Sequence, residues 1–289
     1  MNVAASVRQR LLNRARSRGE EFEQLLVRYA LERLLYRLHQ SPHADQFVLK
    51  GAMLFALWVD LPQRPTRDAD FLAFGDPDPA RLALVFADLA AQAVDIDDGV
   101  LYEPATVRAE PIRKQAGYPG VRVSLQAQLA GARIPVQCDI GFGDAVTPAP
   151  QSETLPTLLD FPAPRLRVYP PESVVAEKLE ALVKLAGYNS RLKDYFDLWV
   201  LFEDDLPDRG VLPGAIAATF TRRGTLLPDQ VPEGLSAAFA KQNATQWRAF
   251  LTRHALQAPE LGRVIDDLAA HCIPLLVAAR AAPAANGDT

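Results

Sequence analysis

The sequence predicts an α+β fold with helices in both terminal parts and a sheet between them. Apolar residues recur at helical spacing in residues 22–38 and again in residues 173–186. Residues 121–140 instead alternate between apolar and polar side chains, which is typical of strands that bury one face. These two periods, placed in this order along the chain, indicate a sheet flanked by helices rather than an all-helical bundle.

A proline-rich segment, residues 144–171, follows the predicted strands and interrupts both patterns. Such a shift in composition predicts a boundary between two parts of the chain. We therefore expect one domain over residues 1–165, including the N-terminal helices, and a mainly helical domain over residues 166–289.

Composition restricts the class of protein. The chain has 289 residues, a net charge of −4, 49 % apolar residues and 23 % charged residues, which is ordinary for a globular protein. It has no apolar run of bilayer-spanning length, so no membrane partner is expected. Its cysteines, Cys138 and Cys272, match no metal-site spacing and no disulfide framework, so we expect a cytoplasmic protein.

Charge is unevenly distributed, however. Arginines crowd the first eighteen residues, and several more fall in the β-rich middle of the chain. The net acidity argues against a protein that wraps nucleic acid non-specifically. A local RNA contact and ordinary solvated faces both remain open.

Two aspartates, Asp68 and Asp70, stand one residue apart on a predicted strand. Side chains alternate across a strand, so both carboxylates face the same side and repel each other unless a cation lies between them. Hard oxygen ligands of this kind suit Mg²⁺ together with substrate phosphates. Upstream, a short strand at residues 47–49 runs into a turn at Lys50-Gly51-Ala52, whose glycine lets backbone amides approach a phosphate.

Three further acidic positions are less informative by themselves. Asp139 lies on the polar face of an alternating strand, where a solvent-facing aspartate and a third metal ligand remain equally open. Asp194 and Asp197 are three residues apart on a predicted helix and so share one face. Lys178 flanks the buried stripe of the preceding predicted helix. Such charges are usually solvated ends or caps.

The order of these motifs resembles a known family. A glycine, a small residue, a helical turn and then Arg-x-[Ser/Thr]-x-Asp-x-Asp resembles the DNA polymerase β-like nucleotidyltransferases, and more narrowly the AbiEii/MenT toxins of toxin–antitoxin and abortive-infection systems. The residues that carry this match are Lys50, Gly51, Arg64, Thr66, Asp68 and Asp70. The segment ESVVAEKLEAL and the later RLKDYFDLWVL match two further patterns of the family.

The resemblance implies a polymerase β-like core, in which a mixed sheet has flanking helices, and a C-terminal helical domain. It implies catalytic or metal-binding roles for Asp68, Asp70 and Asp139, and contributions from Lys178 and Asp194. It implies nucleotide binding by Lys50, Gly51, Ala52, Thr66 and Lys178. Supporting roles fall to Arg64, Arg191 and Asp197.

The implied activity is Mg²⁺-dependent transfer of a nucleotide from an NTP to an RNA acceptor such as a tRNA 3′ end, with two metal ions. Growth inhibition and a cognate antitoxin protein would accompany it. Ala52 is a departure, because relatives often carry serine or glycine there, and alanine provides no hydroxyl for a phosphate. A small-molecule nucleotidyltransferase and a non-catalytic interaction protein remain as alternatives. A P-loop NTPase is excluded, since the chain has no G-x-x-x-x-G-K-[ST] motif.

Overall fold

The structure is a computed structural model that describes residues 2–59, 66–113 and 119–281. The helices of these residues are α1 (Val3–Arg18), α2 (Phe22–Gln40), α3 (Phe55–Trp58), α4 (Pro79–Ala91), α5 (Pro171–Leu185), α6 (Leu192–Glu203), α7 (Leu212–Arg222), α8 (Ala237–His254) and α9 (Leu261–Ala281). The strands are β1 (Phe47–Lys50), β2 (Ala69–Ala73), β3 (Leu101–Arg113), β4 (Pro119–Leu129), β5 (Ala132–Phe142), β6 (Gln151–Thr154) and β7 (Arg165–Val168). This mixture confirms the predicted α+β class.

The chain forms two compact units. The first contains the described residues of Met1–Leu57, Pro65–Gly143 and Gln151–Val168. The second contains those of Trp58–Arg64, Asp144–Pro150 and Tyr169–Thr289. The domain division after residue 165 stays a prediction. None of the helices in the described part of the chain combines the length and apolarity that crossing a bilayer requires.

A mixed sheet with strand order β3-β4-β5-β2-β1-β7-β6 is the centre of the first unit. Strands β2 and β5 pair in parallel, as do β1 and β7, whereas the other neighbours are antiparallel. Because β2 and β5 are parallel, the carboxyl ends of both strands lie at the same edge, and β2 is held between β5 and β1.

Helices α2 and α4 pack on one face of this sheet. The Tyr102 hydroxyl of β3 donates a hydrogen bond to the carbonyl of Ala30 in α2. On the same face, the ring of Phe47 contacts Phe71 of β2 and Phe86 of α4. Since side chains alternate along β2, Asp70 points to the opposite face from Phe71.

The alternation predicted for residues 121–140 is confirmed. Val121, Val123 and Leu125 of β4 are buried, as are Ile134 and Cys138 of β5. The predicted turn is also present at Ala130-Gly131, where Gly131 adopts a φ of 81°. A left-handed backbone is easy for glycine, which explains the residue type at this hairpin.

Strand β3 was not identified from the sequence. It forms one edge of the sheet and pairs only with β4, with an irregularity between Glu103 and Arg108. Pro104 and Pro111 lie within it. Proline cannot donate to a strand ladder and is tolerated at an edge, so it obscures the pattern without preventing the strand.

Proline usually ends a helix, so the sequence predicts that Pro274 breaks the last helix. This prediction is wrong, because α9 continues through Pro274 to Ala281. Cys272, Leu275 and Leu276 on either side of the proline are buried. Helix α9 packs against α6, α7 and α8. This burial outweighs the one backbone hydrogen bond that proline removes. From its small and polar residues, the sequence predicts a disordered tail over residues 281–289. Ala281 is instead the last residue of α9, and the rest of this segment lies outside the described residues.

A buried group of charges fastens α2 to the loop before β3. The Asp98 carboxylate accepts hydrogen bonds from Arg33 Nε at 3.0 Å and from Arg37 Nη1 at 2.8 Å. The side chains of Asp98 and Arg33 are each 1 % exposed. Removing one partner of such a group would leave a buried charge uncompensated, which is strongly destabilising.

Glu32, also on α2, is a buried acid with less favourable surroundings. Its Oε2 accepts a hydrogen bond from the Leu158 amide at 2.7 Å, and Arg33 Nη1 lies 3.7 Å from Oε1. Burial raises the pKa of Glu32 to about 7, although the Leu158 amide and the charges of Arg33 and Arg28 act in the opposite direction. In the folded protein this carboxyl therefore ionises less readily than in the unfolded chain.

Glu32→Gln is expected to stabilise the protein above pH 7 but not near pH 4. The unfolded chain ionises Glu32 at about pH 4.5 and the folded protein at about pH 7, so this group disfavours folding increasingly as pH rises between these values. Urea unfolding at several pH values measures the difference. Glu23→Gln, an exposed change on the same helix, is the matched control. A constant effect of Glu32→Gln at every pH would contradict the assignment.

Candidate active site

Four charged residues stand in one row across neighbouring strands of the first unit. Lys50 of β1 is the register partner of Asp70 in β2, and Asp70 is the partner of Asp139 in β5. Asp139 is in turn the partner of Arg122 in β4. The row therefore reads cation, carboxylate, carboxylate, cation, and its two like charges are directly adjacent.

Arg122 binds the second of these carboxylates. Its Nε donates to Asp139 Oδ1 and its Nη2 to Oδ2, both at 2.8 Å. This is the two-pronged geometry that makes arginine–carboxylate pairs strong. Gln137 Nε2 donates to Oδ1 as well, at 3.4 Å.

Asp68 precedes β2 and is held by a residue of its own motif. The hydroxyl of Thr66 donates to Asp68, with Oγ1 2.7 Å from Oδ1 and 3.0 Å from the carbonyl oxygen. The negative charges of Asp68, Asp70 and Asp139 all act on Cys138 and help burial to raise the pKa of that thiol. Asp68 and Asp70 thus lie at the amino end of β2, where Asp70 is the register partner of Asp139.

Gly51 has two reasons to be glycine. Its φ of 80° lies in the left-handed region. A Cβ at this position would also stand only 2.3 Å from Asp70 Oδ2, which is far inside contact distance. The turn after β1 thus lies directly against the Asp70 carboxylate. Ala52 follows in the 3₁₀ turn Gly51–Leu54.

The donor set suits Mg²⁺, which binds one or two protein carboxylates, water and phosphate oxygens. In this conformation, however, no group of three or more His, Cys, Asp or Glu side chains within the described residues is arranged to hold a metal ion. Both oxygens of Asp139 accept from Arg122. A metal ion that bound Asp139 through the same lone pairs would have to displace the guanidinium.

The other predicted residues form a cluster in the second unit. Lys178 Nζ of α5 donates to Asp194 Oδ1 at 2.8 Å and to Asp197 Oδ2 at 2.7 Å. Arg191 Nε lies 2.8 Å from Asp194 Oδ2. The sequence placed both aspartates on one face of a helix, and the structure shows that this face of α6 meets Lys178. Arg64 lies outside the described residues.

Electrostatics keep this cluster ionised. Burial alone would raise the pKa of Asp194, but the charges of Lys178 and Arg191 outweigh it and lower that pKa below its ordinary value. Burial alone would likewise lower the pKa of Lys178, and Asp194 and Asp197 outweigh it and raise the pKa. Lys178 and Asp194 therefore carry opposite charges that hold α5 and α6 together.

Two features of the charged sites were missed from the sequence. Arg122 was noted only as one of several basic residues, although counting back from the turn at Ala130-Gly131 pairs it with Asp139. In the second unit, Arg223 binds Asp144, Glu177 and Glu180 at 3.2, 3.1 and 3.0 Å. No sequence pattern links these four positions, because they come from separate parts of the chain.

One family model matches most of the chain. The model of the family described as nucleotidyl transferase AbiEii toxin, type IV toxin–antitoxin system, matches residues 33–271. The chain belongs to the AbiEii family. It is therefore a member of a family of nucleotidyltransferases, which confirms the resemblance stated from its motifs.

Solved structures and curated proteins add less. JHP933 from Helicobacter pylori is 14 % identical, covers 89 % of this chain and 94 % of its own, and superposes with a TM-score of 0.48. An antigenic nucleotidyltransferase-like protein from Paracoccidioides brasiliensis is 13 % identical, covers 87 % and 92 %, and gives 0.41. No curated protein matches the chain. The assignment to AbiEii rests on the family model alone.

Gly51→Ala is expected to weaken metal–nucleotide binding at the candidate site, beyond the loss of stability that a left-handed φ causes for any residue with a side chain. Gly131→Ala is the matched control, because Gly131 has a φ of 81° but nothing within 4 Å of the position that an added methyl group would take. Each change should cost about 1–2 kcal/mol of unfolding free energy through backbone strain. Only Gly51→Ala also displaces Asp70 and should weaken metal–nucleotide binding. Equal binding by the two variants would contradict this role of Gly51.

Lys178→Met is expected to destabilise the protein by about 3–5 kcal/mol, since it removes the cation that donates to both Asp194 and Asp197 in a buried cluster. Urea unfolding measures this, with Lys241→Met on the exposed side of α8 as a control. The lowered pKa of Asp194 contributes stability above the unfolded pKa of about 4, and this contribution is lost as pH falls through the folded value. Lys178→Met should therefore lose less stability on acidification than wild type. If it unfolds like Lys241→Met, the cluster is not a structural one.

Proposed function

We propose that this chain transfers a nucleotide from an NTP to an RNA acceptor, a tRNA 3′ end, in a reaction that depends on Mg²⁺. The observation that carries the proposal is the parallel pairing of β2 with β5, which sets Asp70 beside Asp139. Membership of the AbiEii family supports the reaction type. The acceptor and the metal are our inference.

In this proposal, three carboxylates have separate roles in metal binding and in activation of the acceptor. Asp68 and Asp70 would hold a metal ion with the triphosphate, and Asp139 would complete a second site. Bound Mg²⁺ would neutralise the charge that develops between the attacking and leaving oxygens. Asp139 would also orient the acceptor hydroxyl and accept its proton, so that the hydroxyl attacks the α-phosphate and pyrophosphate leaves.

Binding of the nucleotide would use backbone and side-chain donors. The amides of Gly51 and Ala52 would bind the β- and γ-phosphates, with Lys50 and Thr66 beside them. Lys178 already donates to Asp194 and Asp197. An ammonium has three N–H donors, and the third is the one we assign to a phosphate. Arg64, Arg191 and Asp197 would support these groups.

The biological setting follows from the family. A toxin of a toxin–antitoxin system inhibits growth until its antitoxin neutralises it, so we propose a cognate antitoxin as the protein partner and the cytoplasm as the location. The two alternatives predict different results when a radioactive NTP is supplied. A small-molecule nucleotidyltransferase would label a small molecule and not RNA, and a non-catalytic interaction protein would label nothing.

Incubation with each α-³²P NTP, Mg²⁺ and total tRNA is expected to label RNA with wild type and not with Asp70→Asn. The amide keeps the shape beside Gly51 but removes the charge, so label should fall by at least about 100-fold. Asp95→Asn, an exposed change in the same unit, should retain full activity, and EDTA should abolish it.

Other outcomes separate the alternatives. Protein that binds NTP but labels no RNA, while an added small-molecule pool becomes nucleotidylated, would contradict the RNA acceptor. Protein that binds no NTP with Mg²⁺ would favour the interaction protein. If Asp70→Asn keeps full activity, the assignment of this group of carboxylates as the active site is wrong.

A further inference from the structure

The pair of Arg122 and Asp139 is an ion pair inside the proposed metal site. The guanidinium uses its Nε and Nη2 groups on the two oxygens of one carboxylate. It thereby occupies lone pairs that a metal ligand needs. Asp68, by contrast, accepts from the neutral hydroxyl of Thr66.

The two partners differ in how easily they move. The side chain of Arg122 is 45 % exposed, whereas that of Asp139 is 12 % exposed. A long, half-exposed arginine regains contacts with water when it turns away from the carboxylate, and this offsets part of the loss of the ion pair. Asp139 is fixed in the sheet between β2 and β4. Arg122 is therefore the partner that would leave.

The balance of charge in the row Lys50, Asp70, Asp139 and Arg122 explains why Arg122 pairs with Asp139. Lys50 and Arg122 flank Asp70 and Asp139, so this stretch of the sheet is neutral without a metal ion. The hydrogen bond to Asp139 and the charges of Asp139, Asp68 and Asp70 raise the pKa of Arg122, against a smaller opposing effect of burial. A dication that enters this row must compete with a permanent cation for the same carboxylate.

We propose that Arg122 is a positioning residue that holds Asp139 in the metal-free protein and is displaced from it when a divalent cation binds. This inference rests on the proposed function, because it assumes that Asp139 is a metal ligand. It assigns to Arg122 a role opposite to that of a ligand. The residue stabilises the site without metal and lowers the affinity for metal.

The test is Mn²⁺ binding followed by electron paramagnetic resonance, with no nucleotide and no RNA present. Arg122→Gln removes the competing cation. Arg133→Gln is the matched control, since Arg133 is exposed on the same face of β5 but about 20 Å along the strand from Asp139. Both variants remove one positive charge from the same sheet face. Arg122→Lys restores a cation without the two-pronged geometry.

Arg122→Gln is expected to bind Mn²⁺ roughly fivefold more tightly than wild type, the factor that corresponds to displacing a partly exposed ion pair. Arg133→Gln should bind like wild type, and Arg122→Lys should fall between wild type and Arg122→Gln. Without metal, Arg122→Gln should unfold at a lower temperature than wild type, and saturating Mn²⁺ should reduce this difference. A merely structural role for Arg122 would weaken metal binding rather than strengthen it.

Asp139→Asn completes the design. In the Asp139→Asn background, Arg122→Gln should no longer change the affinity for Mn²⁺, because the carboxylate for which Arg122 and Mn²⁺ compete is absent. Equal affinities of wild type and Arg122→Gln, where both bind Mn²⁺, would overturn this inference and leave the proposed function intact. If neither wild type nor any variant binds Mn²⁺ without nucleotide, this inference fails, whereas the proposed function, in which the triphosphate also holds the metal, is decided by the labelling experiment.

Discussion

The first unit depends on a repulsion that the sheet imposes. Parallel pairing of β2 with β5 sets Asp70 directly beside Asp139, and no rearrangement of side chains alone can separate them by more than their own length. Two adjacent carboxylates are unfavourable unless positive charge is brought close. Lys50 and Arg122 provide it from the strands on either side. The apolar rows on the opposite face fix the register and therefore fix this repulsion.

The surroundings of the row are built to tolerate this charge. Gly51 has no side chain where Asp70 comes closest, and Thr66 donates its hydroxyl to Asp68. These contacts set the positions of the carboxylates before any substrate arrives, which is the condition for efficient binding of a metal–phosphate group.

The second unit shows that a motif residue can have a structural role as well. Lys178 lies between Asp194 and Asp197, and Arg223 lies among three carboxylates of other elements. Both groups are buried ion clusters whose disruption would leave uncompensated charge. Loss of activity on changing Lys178 would therefore not by itself show that this residue binds nucleotide, and a measurement of stability has to accompany it.

The sequence by itself determined the α+β class, the β4–β5 hairpin and the residues of the family motifs. These follow from local physics: period-two alternation, a glycine with positive φ, and charges at fixed short spacing. It did not reveal β3, because prolines at a sheet edge obscure the pattern, nor the continuation of α9 through Pro274, which packing enforces. The register of the predicted hairpin already pairs Arg122 with Asp139, and the structure adds that both guanidinium donors bind this one carboxylate. Only the tertiary structure decided that Arg223 joins Asp144, Glu177 and Glu180, since contacts between distant segments depend on strand order and helix packing rather than on spacing along the chain.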